Sequence, residues 1–338
     1  MNHKSVPELI CPAGSYQAAI AATENGADAI YMGFQDATNA RHFPGLNMNE
    51  RKMTKAIDFI HKHRKKILIA INTYPQTDNF NQWTQTIDKA VNAGADALIL
   101  ADIALMDYCH TKYPATNIHI SVQASATSAD TINFYKQMFD IKRVVLPRVI
   151  TIEEIERIHN KTDIPLEIFG FGGLCVMTEG RCFLSGHLCG DSPNTFGACS
   201  PAEKVKWNSS DKGLECLLNS HILDIFSEND SAGYPTPCKG RFLMDGKPIY
   251  PFEKPSTLNS LHLIPRFTAS GVSAIKIEGR QRSPAYVAKV TSVWRKALNH
   301  FADSPSTFNI RCKEWNSELM EFAEGMNITS GCYDKGWY

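Results

Sequence analysis

Neither sign of charge dominates this chain: 35 Lys and Arg stand against 35 Asp and Glu, for a formal net charge of zero. That balance gives no support to a general nucleic-acid binder, whose footprint is a basic excess, although it leaves room for a local basic groove. Long apolar runs are also missing. Eighteen apolar residues never follow one another, and the opening MNHKSVPELICPAG has no uninterrupted apolar stretch of the secretory kind. The chain therefore reads as soluble and cytoplasmic. Familiar catalytic signatures are scarce too: no G-x-G-x-x-G follows the first strand-like run, and neither G-x-S-x-G nor H-E-x-x-H occurs.

What is present begins with ten cysteines in 338 residues that are 43% apolar. A chain of this size fills a core without staples, so the thiols read as reduced, some of them as metal ligands. Short β-branched runs alternate with amphipathic stretches, the pattern of a parallel sheet with crossover helices. Strands are expected at Glu8–Cys11, Ala29–Gly33, Ile67–Thr73, Ala97–Ala101, His119–Gln123, Val144–Pro147, Leu166–Gly170 and Ala274–Glu278. An internal echo supports them: GADAIYM at Gly26, GADALIL at Gly94 and GVSAIKI at Gly271 each place a helix-ending glycine before an apolar strand. Eight strands of this kind predict a (β/α)8 TIM-like barrel over residues 1–301 rather than a doubly wound sheet.

One interval breaks the rhythm. Roughly a hundred residues separate the seventh strand from the eighth, far more than a βα connection needs. They are expected to form a cysteine-rich insertion, 173–255, on the face where barrels keep their chemistry, with Gly213–Phe226 as a helical segment. After the eighth strand, Pro284–Phe301 has helical spacing and an N-terminal proline, and 302–338 reads as a polar tail packing on the barrel.

Within the insertion lie Cys175, Cys182, Cys199 and Cys238, with six, sixteen and thirty-eight residues between them. These gaps match neither the C-x2-C pairs of zinc ribbons nor the C-x2-C-x2-C run of ferredoxins. Spacing alone leaves a zinc site, an iron–sulfur cluster and plain buried cysteines all open. His187 is the one histidine at a usable spacing, and Arg181, Lys239 and Arg241 stand beside the thiols as either cluster-tuning cations or ordinary surface.

The residues that carry more are EIFGFGGLCVMTEGRCFLS, Glu167 to Ser185, and IKIEGRQRSPAYV, Ile275 to Val287. Together they resemble the two shared motifs of peptidase family U32. Gly173 departs from the usual Ser or Ala, which loosens that loop slightly. Similarity continues through LICPAG, TNARHF, AINTY, SVQASAT, VVLPRV, SPNTFGACSPA and GYPTPCKGR. In this detail the chain is most similar to the UbiU branch of the family, the subunit of an O2-independent ubiquinone-biosynthesis hydroxylase. The resemblance implies a [4Fe-4S] cluster on Cys175, Cys182, Cys199 and Cys238, with Cys189 and Cys216 outside the pattern. It implies a heterodimer with a UbiV-like protein, a UbiT-like lipid-binding partner, ubiquinone precursors as substrates and prephenate as oxygen donor. No direct contact with nucleic acid is expected, and the peptidase name fits no motif here. Two alternatives stand beside this: an RNA nucleobase hydroxylase of the same family, and a non-catalytic iron–sulfur protein that is structural or senses oxygen.

Strand-end positions are where barrels gather functional polar groups. Here these are Asn72, Gln123, Arg148, Glu278 and Arg280, with Asn39, Arg41 and His42 after the second strand. Substrate binding is assigned to Arg41, Asn72, Gln123, Arg148, Glu278 and Arg280. A dicarboxylate would take two of the three arginines, since a guanidinium grips a carboxylate at two points. The plain alternative is an Arg148–Glu278 structural pair. Cys11 reads as a buried small residue rather than a nucleophile, and no residue is assigned a catalytic role.

Overall fold

The computed structural model describes residues 6–42, 45–324 and 327–336. Residues 1–5 of the opening stretch and Phe43 of TNARHF lie outside the described residues. Strands β1 (Glu8–Pro12), β2 (Ala29–Met32), β3 (Lys66–Ile71), β4 (Ala97–Leu100), β5 (Asn117–Ile120), β6 (Arg143–Val145) and β7 (Leu166–Gly173) pair side by side in chain order, all parallel. Between the first six and their successors run α1 (Tyr16–Glu24), α2 (Glu50–Lys62), α3 (Phe80–Asn92), α4 (Ile103–Lys112), α5 (Ala129–Phe139) and α6 (Ile152–His159). Local chemistry fixes their starts. Asp102 accepts from the Ala104 and Leu105 amides at the head of α4, and Thr151 with Glu154 forms a reciprocal capping box at α6.

The insertion follows. Helices α7 (Leu184–Cys189) and α8 (Pro193–Phe196) lead into an antiparallel meander of β8 (Val205–Ser210), β9 (Gly213–Leu218) and β10 (His221–Phe226), then a hairpin of β11 (Phe242–Met244) and β12 (Lys247–Ile249). The expectation of a helix over Gly213–Phe226 is corrected. Asn219 and Ser220 both adopt positive φ, 46° and 74°, making a two-residue turn that folds the segment back as β9 and β10. Its apolar residues satisfy either period, and the turn chemistry decides.

β13 (Thr257–Asn259) runs antiparallel along β7, and α9 (Ile264–Ala269) leads into β14 (Val272–Ile277). β14 pairs in parallel with both β7 and β1, which closes an eight-stranded parallel barrel with helices outside it. The three echo glycines, Gly26, Gly94 and Gly271, have φ of 101°, 91° and 75°, the conformation that ends each preceding helix at no cost to a residue without Cβ. Helix α10 (Pro284–Asp303), capped by Ser283 with proline at its first position, buries Trp294, Val290 and Leu298 against the barrel. Helix α11 (Phe308–Met320) and β15 (Ile328–Thr329), parallel to β13, complete the described chain.

Side chains alternate along each strand, so one set faces the helices and the other the barrel axis. The axial set is small: Ile10, Ala29, Tyr31, Leu68, Ala70, Ala97, Ile99 and Ala274 form a cluster of their own. That slender filling leaves space for a column of charge. Glu167 accepts from Lys276 at 2.7 Å and Arg143 at 3.3 Å, and Arg143 reaches Glu8 at 2.5 Å.

Candidate functional site

The C-terminal ends of the barrel strands open on a cavity of about 580 Å³ of empty space, part of it open to solvent. It is lined by residues from nearly every strand end, among them Tyr31, Asn72, Gln123, Glu179, Lys276 and Arg280. All six residues assigned to substrate from the sequence line it. Their hydrogen bonds separate those already committed from those with capacity to spare.

Asn72 is a strut. Its Oδ1 accepts from the Ala40 amide at 3.0 Å and its Nδ2 donates to Ser121 Oγ at 3.2 Å, tying the loop after β2 to the end of β5. Arg148 is also committed: its Nε donates to Glu179 Oε1 at 2.6 Å, an Nη donates to the Gly173 carbonyl, and the guanidinium lies over the Phe169 ring. Arg148 therefore pairs with Glu179 and not with Glu278. Glu278 instead faces Arg41 at 3.6 Å and accepts from the Gly173 amide at 3.2 Å. Burial works to raise the Glu278 carboxyl, but Arg41 and Arg148 outweigh it and leave the pKa lowered. A side chain at position 173 would stand 3.5 Å from Glu278 Oε2, an ordinary contact, so glycine is not demanded there.

Arg280 stands apart. It is 4% exposed, donates to Asn39 Oδ1 at 3.1 Å, and makes no ion pair among the described residues. Burial pulls its pKa down to about 10, with the Tyr31 hydroxyl as the largest opposing influence. A buried guanidinium with unused donors is an unfilled demand for an anion. Lys276, also buried, is satisfied by Glu167 and sits 3.9 Å from the centre of the Tyr31 ring. Its pKa is lowered, by burial first.

The thiols sit on the rim of this mouth. Cys175 follows β7, Cys182 precedes α7, Cys199 follows α8, and Cys238 lies in a short turn, Pro237–Lys239. Cys199 is their electrical centre: it raises the pKa of both Cys175 and Cys238, and is itself raised by Cys182. Burial is the first cause in each case, pushing Cys238 up to about 11 and Cys175 further, although Cys199 keeps an exposed surface. The same Cys199 thiol feels Arg41, Arg148 and Lys239, which work to lower it, so thiols and cavity share one electrostatic neighbourhood.

Among the described residues, no three His, Cys, Asp or Glu side chains gather closely enough for a single metal ion. A tetrahedral zinc would need its sulfurs about 3.8 Å apart. Four cysteine thiols are a donor set that a structural zinc or an iron–sulfur cluster takes. Cys189 and Cys216 belong elsewhere, packed with Leu218, Leu223 and Phe226 in the insertion's own small core. Of the neighbouring cations, Lys239 is held by Glu324 at 2.8 Å and Arg241 by Asp224 at 2.6 Å, while Arg181 and His187 are exposed. His42 is exposed too. Cys11 is fully buried, accepts from Thr291 Oγ1 at 3.3 Å and has its pKa pushed up to about 12, as suits a packed thiol.

Glu179, with Tyr31 and Lys276, is a site residue that the sequence reading missed, though it lies inside the quoted MTEGR. Its loop is pressed onto the turn after β5. Ser125 Oγ donates to the Glu179 carbonyl at 2.5 Å, and a Cβ on Gly180, whose φ is +86°, would stand 1.9 Å from the Gln123 carbonyl oxygen. Only glycine allows that approach.

Comparison with known proteins adds the following. The profile described as Peptidase family U32 matches residues 14–336. The tRNA hydroxylation protein P of Escherichia coli is 30% identical over 339 residues, covering 95% of this chain and 72% of that protein. The tRNA hydroxylation protein P1 of Bacillus subtilis is 29% identical, covering 96% of this chain and 70% of that protein. The 23S rRNA 5-hydroxycytidine C2501 synthase of Escherichia coli is 27% identical, covering 86% and 39%.

Proposed function

The chain belongs to peptidase family U32, and from that premise we propose that it is the iron–sulfur subunit of a hydroxylase that places a hydroxyl on a ring without O2. Relatives named for hydroxylation of tRNA and 23S rRNA support the reaction class. One observation carries the reading: a buried, unpaired Arg280 and a group of four thiols face the same end of one barrel.

In this reading Cys175, Cys182, Cys199 and Cys238 hold a [4Fe-4S] cluster, which when bound supplies one-electron chemistry at the mouth. The chain's own groups do the rest. Arg280, held by Asn39, binds a carboxylate of the oxygen donor, for which prephenate is the candidate, and Arg41 offers a second cation nearby. Arg148 stays with Glu179 and keeps that loop in place rather than gripping a ligand. Burial strengthens each of these contacts relative to water.

For the acceptor, the relatives' names favour an RNA nucleobase over a ubiquinone precursor. The ubiquinone reading, with UbiV-like and UbiT-like partners, has its own support in the motif-by-motif resemblance and in the surface of the insertion. Leu243, Met244 and Phe252 are 77%, 59% and 54% exposed there, which suits a prenylated substrate or its carrier more than a phosphate backbone. No described helix is long and apolar enough to cross a membrane. The test is mass spectrometry of nucleosides and quinone intermediates from anaerobically grown cells with and without this chain. A missing hydroxylated nucleoside selects RNA, and an accumulated unhydroxylated quinone precursor selects ubiquinone. No change in either would contradict the hydroxylase reading.

A further inference from the structure

Thr236 carries a hydroxyl that the fold does not use. It stands between Pro235 and Pro237, and the proline that follows holds it extended, at φ −133° and ψ 141°. Its place just ahead of the short turn Pro237–Lys239 is that of a capping residue, whose side-chain oxygen ordinarily accepts from an amide two or three residues on. Ser15, Ser128 and Ser283 do so at the heads of α1, α5 and α10. Thr236 does not: the Lys239 amide donates to its carbonyl at 2.9 Å, and the side chain makes no cap. Its Oγ1 is buried and has no hydrogen-bond partner among the described residues. A buried hydroxyl left unmade is costly, so the position calls for an acceptor.

Oγ1 has no open surface, so an acceptor arriving from solvent does not reach it. The sulfur of Cys238, two residues on, is within its reach. Burial first and Cys199 next raise the Cys238 pKa, while Lys239 and the Thr236 hydroxyl work to lower it, as a donor beside a sulfur does. A neutral thiol is a weak acceptor, which leaves the hydroxyl unsatisfied; a thiolate is a far better one. Cys175 has the opposite arrangement, its thiol donating to the Met177 carbonyl at 3.2 Å, a bond that ends when the proton leaves. Cys238 gains a partner on becoming a metal ligand where Cys175 loses one.

We propose that Thr236 donates its hydroxyl hydrogen to the Cys238 thiolate when that sulfur ligates the cluster, and that it is a positioning residue which raises the cluster's reduction potential. The inference rests on the four-cysteine cluster of the proposed function and adds to it a tuning group outside the cysteines. Reduction brings one electron and no proton, and the added negative charge spreads onto the thiolate sulfurs, where a donor stabilises it. The hydroxyl therefore favours the reduced state.

The test is a mediated redox titration with dithionite on the full chain, purified without oxygen, followed by visible absorbance and by electron paramagnetic resonance of the reduced cluster. Thr236→Val keeps the branched shape and removes the hydroxyl. It should load iron as wild type does and shift the one-electron equilibrium toward the oxidised cluster by about threefold or more, a midpoint lower by about 28 mV or more. Thr236→Ser, which keeps the hydroxyl, should stay within about twofold of wild type. A valine shift below threefold, an upward shift, or an equal shift in the serine variant would overturn the inference and leave the cluster standing. Should the valine variant fail to load, iron content decides: loading that serine restores supports the donor, and loading lost with serine too overturns it. Zinc or no metal in wild type would remove the cluster reading and this inference together.

Discussion

The barrel completely buries Trp294, Phe171, Phe267 and Phe308 in one continuous core, and its interior ions Glu8, Arg143, Glu167 and Lys276 answer one another. The insertion has a core of five side chains, Cys189, Cys216, Leu218, Leu223 and Phe226, and leaves Leu243, Met244, Phe252 and Phe183 largely in water. Its buried Asp224 is met by Arg241 and the Tyr250 hydroxyl at 2.6 and 2.7 Å. A core that small does not hold an insertion spanning 173–255 by burial alone. The difference locates the barrel's stability in apolar packing, and in the proposed reading ligation of the thiols would supply to the insertion what its own core does not.

The largest effect expected from that contrast follows removal of metal. Chelation of the anaerobic protein should lower amide protection across β8, β9 and β10 at least a hundredfold by hydrogen exchange, with β14 and α10 unchanged. Simultaneous loss in both regions would break the comparison. Next in size, Trp294→Ala should cost the barrel about 3–5 kcal/mol in urea unfolding, because indole burial is lost and the cavity against Gly170 and Ile275 stays open. Phe226→Ala, on the meander, should leave the barrel's transition unmoved and loosen only the insertion.

Acid sensitivity should also belong to the barrel. His119 is buried beside Arg143, and burial first, then that cation, bring its pKa down to about 3. An unfolded histidine takes its proton near pH 6.5, so the folded state binds fewer protons below that value. Its stabilising contribution is therefore complete above pH 6.5 and is lost as pH falls toward 3. His119→Asn should flatten the stability–pH curve in that window by up to about 1.4 kcal/mol per pH unit, measured by urea unfolding at a series of pH values. The smallest effect expected lies in the insertion: Ser220→Gly relieves a φ of 74° and should raise the meander's local stability by less than about 1 kcal/mol in hydrogen exchange.

The two regions also differed in how openly the sequence declared them. Three of the barrel strands, β2, β4 and β14, are short apolar runs after a helix-ending glycine, and all eight expected runs lie in the closed ring, within two or three residues at their ends. Inward and outward faces are both buried, so the runs are plainly apolar. In the insertion, LECLLNSHILDIF has apolar positions compatible with helix or strand, and only Asn219–Ser220 distinguishes them. At the site, residue types at strand ends singled out six side chains that the structure places in the lining of one cavity. Their individual commitments were hidden, since they depend on partners far apart in the chain: Arg148 on Glu179 rather than Glu278, and Asn72 on Ser121. That Arg280 has no ion pair among the described residues, while Arg41 and Arg148 each face a carboxylate, is a property of three-dimensional packing, as is the lack of a hydrogen-bond partner there for Gln123 Oε1 and Glu179 Oε2.

The account turns on what the four rim thiols hold. Iron and acid-labile sulfide analysis with electron paramagnetic resonance, on anaerobically purified wild type and on Cys175→Ala, Cys182→Ala, Cys199→Ala, Cys238→Ala and Cys189→Ala, addresses that most directly. The account predicts about four irons per chain, as in a cubane, lost from the first four variants and kept in Cys189→Ala. Stoichiometric zinc, no metal at all, or iron that survives the rim substitutions would contradict it.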